Sequence, residues 1–286
     1  MCKSERAIKT CLLKDALAEG LLCLQAIEST RLDAELLLAH VLQKNRAFLR
    51  AWPDYVLTES ERVAYQLLLH RRQGGEPLAY ITGYREFWSL SLKVTPHTLI
   101  PRPETELLVE LALLCLPESL QWVADLGTGS GAIALALAKE RPHWQIWATD
   151  QSSEALAVAQ ENARQLNLST IRFGLGDWGA ALPPEQRFDM ILSNPPYIAP
   201  DDEHLTGDGV CFEPVTALIA INKGLADLEK IIQQAYGQLC PGGWLLLEHG
   251  STQANAVREI LAAQGFGEIT THLDLSGLDR VTQARR

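Results

Sequence analysis

An apolar stretch from Trp122 to Leu126 runs directly into Asp125-Leu-Gly-Thr-Gly-Ser-Gly131, and a segment rich in alanine and leucine begins at Ala132. A short apolar run closed by glycines and followed by helix-forming residues predicts a strand, a tight turn and a helix. Glycine carries no side chain, so the turn can bring backbone close to a ligand. The first N–H groups of the helix have no partner within it and can meet that ligand. The same alternation continues along the chain. Strands are predicted at 145–149, 171–174, 189–193 and 243–248, and helices at 132–139, 153–166, 225–239 and 254–264. Two closing strand candidates lie at 268–273 and 280–284. This order predicts an α/β domain built on a doubly wound, mostly parallel sheet. The ligands of such sheets bind beyond the carboxyl ends of the strands.

The first part of the chain has a different period. Leu32, Leu36, Leu37 and Val41 recur at helical spacing, with Asp33 and Glu35 in the first turn. Thr58 and Glu61 have the spacing of a capping box for a helix running to Arg72, which Gly74-Gly75 ends. Residues 1–83 are expected to form a small all-helical domain that docks the substrate. Residues 84–103 are expected to form a hairpin and linker, because Phe87, Trp88, Leu90, Leu92 and Val94 nearly alternate with polar residues before Pro96, Pro101 and Pro103. Residues 104–286 make up the catalytic domain, entered by a helix over 104–116.

The 286 residues are 47% hydrophobic and 21% charged, as in an ordinary globular protein. The net charge is −10, unevenly spread: residues 1–85 hold twelve Lys/Arg against ten Asp/Glu, and residues 86–286 hold thirteen against twenty-five. An acidic surface repels nucleic-acid phosphates. Cys2, Cys11, Cys23, Cys115, Cys211 and Cys240 form no CxxC pair and lie near no His at metal-ligand spacing, so reduced, mostly buried thiols and no metal are expected. Lys3, Arg6, Lys9, Lys14 and Asp15 interrupt the N-terminus, and no apolar run reaches membrane-spanning length. A cytoplasmic protein with no membrane partner is expected.

The chemistry sits where strands end. The loop of Asp125, Gly127, Thr128, Gly129, Ser130 and Gly131 fits a nucleotide-like cofactor, either a dinucleotide or S-adenosylmethionine. Asp150 closes the next strand, where a carboxylate can accept from both ribose hydroxyls. An Asp at that place can also simply cap the following helix. After the third strand, Asp177 can take an adenine amino group and Trp178 can lie against the ring. The fourth strand ends in Ser193-Asn194-Pro195-Pro196-Tyr197. Pro196 cannot continue the ladder. The Asn194 side-chain oxygen and the Pro195 carbonyl are two acceptors, enough for both hydrogens of one –NH2 group, and Tyr197 can pack flat on a planar substrate.

In this order, the glycine loop, the strand-end Asp and Asn-Pro-Pro-Tyr resemble the class I, Rossmann-like methyltransferases that modify amide or exocyclic nitrogens. The likeness extends to 100–106 (Ile-Pro-Arg-Pro-Glu-Thr-Glu), Phe212-Glu-Pro214 and the tail from Asp274 to Arg280. Across essentially the whole chain the sequence resembles the bacterial release-factor glutamine methyltransferases (PrmC/HemK). The resemblance implies methyl transfer from S-adenosylmethionine to the glutamine amide of Gly-Gly-Gln in class I peptide chain release factors. It implies that Gly127 to Gly131, Asp150 and Trp178 line the cofactor site and that Asn194 to Tyr197 hold the glutamine. Arg102 and Glu104 are expected near the pocket mouth. A sister family methylates a glutamine of a ribosomal protein with the same motif, and its linker departs from Pro-Arg-Pro-Glu-Thr-Glu.

The expected reaction is direct transfer by positioning, with no covalent intermediate; the proton leaves to water or to Glu248, whose favoured reading is a buried or capping residue. A nucleic-acid amino-group methyltransferase is the nearest rival, because adenine offers the same –NH2 on a planar group. Asp201, Asp202, Glu203, Asp208 and Glu213, crowded after the motif, speak against it. An NAD-linked oxidoreductase would leave Asn-Pro-Pro-Tyr without a role, and a non-catalytic cofactor-binding scaffold would have no need of it.

Overall fold

The computed structural model describes residues 11–202, 205, 207 and 209–286, and the chain divides after Thr82 into two compact units. Cys2, Lys3, Arg6 and Lys9 lie outside the described residues.

The first unit holds helices α1 (Leu13–Cys23), α2 (Thr30–Leu42), α3 (Arg46–Ala51), α4 (Glu59–Gln73) and α5 (Leu78–Thr82). The α4 capping box forms: the Thr58 hydroxyl accepts from the Glu61 N–H at 3.2 Å, and the Glu61 carboxylate accepts from the Thr58 N–H at 2.7 Å. The unit is not wholly helical, since β1 (Cys11–Leu12) pairs antiparallel with β2 (Val56–Leu57). Two residues per strand are too few to leave a period in the sequence.

Leu13, Leu37, Leu38, Tyr65 and Leu69 form its core. The inward face of α2 differs from the predicted leucine stripe: Leu32 is exposed, whereas Asp33 and Glu35 are buried. Both carboxylates turn inward because arginines meet them there. Arg72 Nε reaches Asp33 at 2.7 Å with both side chains almost inaccessible, and Arg46 and Arg31 reach Glu35 at 2.6 and 3.1 Å.

The second unit begins with a hairpin of β3 (Tyr84–Phe87) and β4 (Leu90–Lys93), followed by α6 (Glu106–Cys115). Segment 84–103 is more than a linker, because Phe87, Leu90 and Leu92 enter the same core as Leu108 and Val123. Next come β5 (Trp122–Leu126), α7 (Ala132–Glu140), β6 (Gln145–Asp150), α8 (Ser153–Gln165), β7 (Ile171–Leu175) and β8 (Phe188–Ser193). A turn, α9 (Ile221–Gly224), leads to α10 (Ala226–Gln238), β9 (Leu239–Glu248), α11 (Ala254–Gln264), β10 (Gly267–Leu273) and β11 (Asp279–Arg285).

The seven-stranded sheet has the order β10-β11-β9-β8-β5-β6-β7. Strands β9, β8, β5, β6 and β7 pair in parallel, and β11 pairs antiparallel with both of its neighbours. Period-two alternation divides the core between the two faces. Val123, Met190, Leu192 and Leu246 face one way, and Ala124, Ile191, Leu245 and Leu247 face the other. The described cysteines are half-buried, and Cys211 is exposed, contrary to the expected burial. Cys11, Cys23, Cys115 and Cys240 stand at or next to element ends, where packing is incomplete. Among the described residues no helix is long and apolar enough to cross a membrane.

The Asp33–Arg72 pair yields a test of the first unit. Asp33→Ala removes the buried carboxylate that meets the Arg72 guanidinium and should cost about 3–5 kcal/mol, measured by urea unfolding. By contrast, Glu59→Ala removes the exposed partner of Arg62 and should cost at most about 1 kcal/mol. Equal effects would contradict the burial argument.

Candidate active site

The strand registers align the site. Leu126 stands opposite Ser193 in β8 and Thr149 in β6, Asp150 stands opposite Leu175, and Ser193 stands opposite Leu247 in β9. One step further, Gly127, Asn194 and Glu248 share one edge of the sheet with Asp150 and Gly176. Strands β6 and β7 lie to one side of β5, and β8 and β9 lie to the other. The order reverses between β5 and β8, where a parallel sheet opens a crevice.

A cavity of about 650 Å³ occupies that crevice. Gly127, Gly129, Asp150, Asp177, Trp178 and Asn194 line it, under a roof of His97, Leu99, Pro214 and Ala217. Gly127 has φ +74°, and a Cβ there would stand 2.7 Å from the Trp178 ring, so the indole lies against bare backbone. Nothing lies within 4 Å of a Cβ placed on Gly129. The Gly129 N–H donates to one Asp150 oxygen and the Ser152 N–H to the other, each at 2.9 Å. Burial raises the Asp150 pKa, and these backbone donors pull it back. Helix α10 supports the rim: Lys230 pairs with exposed Asp177, and Gln234 and Gln238 clasp the two backbone groups of Gly179.

The remaining loop residues do not line this cavity. Asp125 is fully buried beneath the loop, accepting from the Thr128 hydroxyl at 2.6 Å and the Ala134 N–H at 3.3 Å. Burial pushes its pKa up to about 7 against those donors. Gly131 is a packing position, since a Cβ there would meet Leu135 at 2.9 Å and Ala159 at 3.2 Å. The Ser130 carbonyl accepts from Asn162 at 2.9 Å. Thr128 and Ser130 face a smaller adjoining space of about 380 Å³.

A second cavity of about 680 Å³ is lined by Arg102, Asn194, Pro195, Tyr197, Ile198 and Leu218, among others. Asn194 borders both cavities, whereas Pro196 faces the first. The Asn194 –NH2 donates to the Thr105 hydroxyl at 3.0 Å. The Tyr197 hydroxyl meets Glu248 at 3.4 Å, and its carbonyl accepts from Gln253 at 3.0 Å. Burial pushes Glu248 up to about 7, against hydrogen bonding from Thr105 and the positive charge of Arg280. Arg280 is itself held by Asp274 at 3.1 Å. Thr105, Gln253 and Arg280 were not singled out from the sequence. Thr105 lies inside the Pro-Arg-Pro-Glu-Thr-Glu segment, but no spacing rule indicates that it would reach Asn194, 89 positions away.

Arg102 closes the roof. Its guanidinium pairs with the buried carboxylate of Glu213, which also accepts from the Ile100 N–H at 3.1 Å. Glu104 is exposed. This changes the electrostatic reading of the mouth. The Glu213 charge is neutralised inside the protein, and Glu203 and Asp208 lie outside the described residues. Asp201 is exposed and Asp202 half-buried. Of the described acidic residues that follow the motif, Glu213 therefore brings no net charge to the mouth.

Comparison with known proteins agrees with this geometry. Residues 15–83 match the family model for the PrmC N-terminal domain, and residues 118–273 match a methyltransferase domain. The release factor glutamine methyltransferase of Escherichia coli K12 is 49% identical, over 94% of this chain and 97% of its own. That of Coxiella burnetii is 51% identical, over 91% and 93%. In fold, the chain is similar to the T. thermophilus 16S rRNA N2 G1207 methyltransferase, whose structure is in complex with AdoMet and guanosine. The TM-score is 0.54, at 19% identity, covering 71% of this chain and 49% of that one.

Buried Asp125 gives the site a pH signature. The folded carboxyl stays protonated to about pH 7, while in the unfolded chain it ionises near pH 4. Between these values only the folded state keeps the proton, so this group makes stability fall as pH rises from about 4 to about 7. Asp125→Asn removes that contribution. Its urea midpoint should drop less than the parent's between about pH 5 and about pH 7.5. An identical drop in both would mean that Asp125 ionises normally in the fold.

Proposed function

The chain belongs to the release factor glutamine methyltransferase family and is an S-adenosylmethionine-dependent methyltransferase, and on that premise we propose its substrate atom and the residues that handle it. The methyl group goes to the side-chain amide nitrogen of the glutamine in the Gly-Gly-Gln tripeptide of class I peptide chain release factors. The observation that carries this reading is the position of Asn194, which borders both cavities at the switch point of the sheet.

The first cavity suits S-adenosylmethionine. Both Asp150 oxygens are oriented by backbone N–H groups and keep lone pairs for a ribose diol. The cleared face of Gly129 and the Trp178 indole leave room for a flat base and its sugar. When bound, S-adenosylmethionine supplies an electrophilic methyl group. The second cavity receives the glutamine. Asn194 and the Pro195 carbonyl accept its two amide hydrogens and turn the nitrogen toward the first cavity. Amide nitrogen is a weak nucleophile because its lone pair is delocalised into the carbonyl. Fixed acceptors stabilise the positive charge that grows on it during attack. Orientation also removes much of the entropic barrier, up to roughly 7–11 kcal/mol in favourable cases. Tyr197 packs against the planar amide, and Glu248, a buried carboxyl at the Tyr197 hydroxyl, takes the departing proton. No residue of this scheme calls for a metal.

A release-factor loop fits this site better than nucleic acid. Glycines let the backbone enter a narrow mouth and present the glutamine alone. The long 97–102 and 209–217 roof segments offer one guanidinium, Arg102, and Glu213 already holds it. The helical unit is assigned to docking the body of the protein substrate, and the exposed side chains of Trp52, Val63 and Leu67 support this. A cytoplasmic location follows from the substrate.

Two experiments test these assignments. With radioactive S-adenosylmethionine, the parent should label release factor and not bare DNA or RNA, and a tripeptide Gln→Ala substrate should stay unlabelled. Asn194→Ala should lower the rate by roughly a hundredfold or more while calorimetry finds S-adenosylmethionine affinity retained. Labelled nucleic acid, or parent-like turnover in the variant, would reject the scheme. For docking, Trp52→Ala should raise KM for intact release factor roughly tenfold and leave KM for a short Gly-Gly-Gln peptide unchanged. A parallel rise for both substrates would remove the docking role.

A further inference from the structure

We infer that Thr105 is a positioning residue: its hydroxyl fixes the Asn194 amide with the oxygen facing the acceptor cavity and the –NH2 turned away. This rests on the reading of Asn194 as an acceptor for the substrate amide. An asparagine amide is nearly symmetric in shape, and a half-turn exchanges its oxygen for its –NH2. Only the oxygen can receive a substrate –NH2, because the flipped amide would set donor against donor. The site therefore needs something that chooses between the two orientations.

Thr105 makes that choice by accepting from the –NH2. It is buried, with 4% of its surface exposed, so solvent competes little for its hydroxyl. On one side it accepts from the Asn194 –NH2 at 3.0 Å. On the other it faces the buried carboxyl of Glu248, which burial pushes up to about 7 and which Thr105, Arg280 and the Tyr197 hydroxyl pull back toward the anion. The Thr105 lone pairs take the Asn194 –NH2, and the amide oxygen is left for the cavity.

The chain of contacts joins the start of α6, the turn after β8 and the end of β9. Helix capping does not account for the hydroxyl. Thr105 is the residue before α6, yet its side chain makes no capping hydrogen bond there. Nor is the arrangement optimised for stability, since one Glu248 oxygen is buried without a hydrogen-bond partner among the described residues.

Thr105→Val keeps the shape and removes both hydrogen-bonding roles. It should lower kcat for release factor roughly tenfold, the equivalent of one oriented hydrogen bond, with S-adenosylmethionine affinity unchanged by calorimetry. Thr105→Ser should restore kcat to within about twofold of the parent. In an Asn194→Asp background an oxygen faces the cavity in either orientation, so adding Thr105→Val should cost nothing further. Parent-like kcat in Thr105→Val, failure of the serine variant to rescue, an equal penalty in the Asn194→Asp background, or a matching loss of cofactor affinity would each overturn the inference. Should Thr105→Val not fold by thermal melting, Thr105→Ala takes its place. If Asn194→Asp is inactive, the serine rescue decides alone. Asn194→Ala at parent rate would instead overturn the underlying site reading, whatever Thr105 does.

Discussion

The parallel pairing of β5 with β8 is the constraint on which the rest of this molecule depends. It sets Leu126 opposite Ser193, so the glycine turn and the Asn-Pro-Pro-Tyr turn leave the sheet side by side. Chain order reverses at this pair, and the helices that follow cannot both cover the crevice. A slip of one residue would exchange the two faces of β8, driving Ile191 into the layer that holds Met190 and Leu192. The apolar alternation that builds the core thereby also fixes where Asn194 stands.

The protein buries carboxyl groups and treats each differently. Asp33 and Glu213 meet arginines and serve as ion pairs, one in the helical unit and one beneath the roof of the site. Asp125 has hydrogen-bond donors but no counter-ion among the described residues, and burial raises its pKa. Glu248 is raised in the same way despite Arg280 and Thr105. The difference follows from partners, since an unpaired charge in a poorly polarisable interior is costly and protonation relieves that cost. The paired acids are structural, whereas the raised Asp125, Glu248 and Asp150 lie under the loop, beside Tyr197 and along the first cavity.

Local chemistry made much of this legible in advance. The capping box at Thr58, the glycine turn after β5, the strand-ending Asp150 and the proline stop after β8 are local signals, each complete within a few residues. The inward turn of Asp33 and Glu35 was not legible, because it depends on Arg72 and Arg46 arriving from other helices. The roles of Arg102 and Glu213 were hidden likewise, 111 positions apart.

The sequence by itself determined the order of strands and helices, the two-part division and the motif at each strand end, because these are set by short-range periodicity and backbone restrictions. Only the tertiary structure decided which motif residues line the cavities and which merely support them. Gly127 and Gly129 face the first cavity, Gly131 packs against α7 and α8, and Asp125 lies underneath. It also brought Thr105 and Glu248 to Asn194. Hydrogen bonds and ion pairs act over about 3 Å in space, and distance along the chain carries no information about them until the sheet has closed its register.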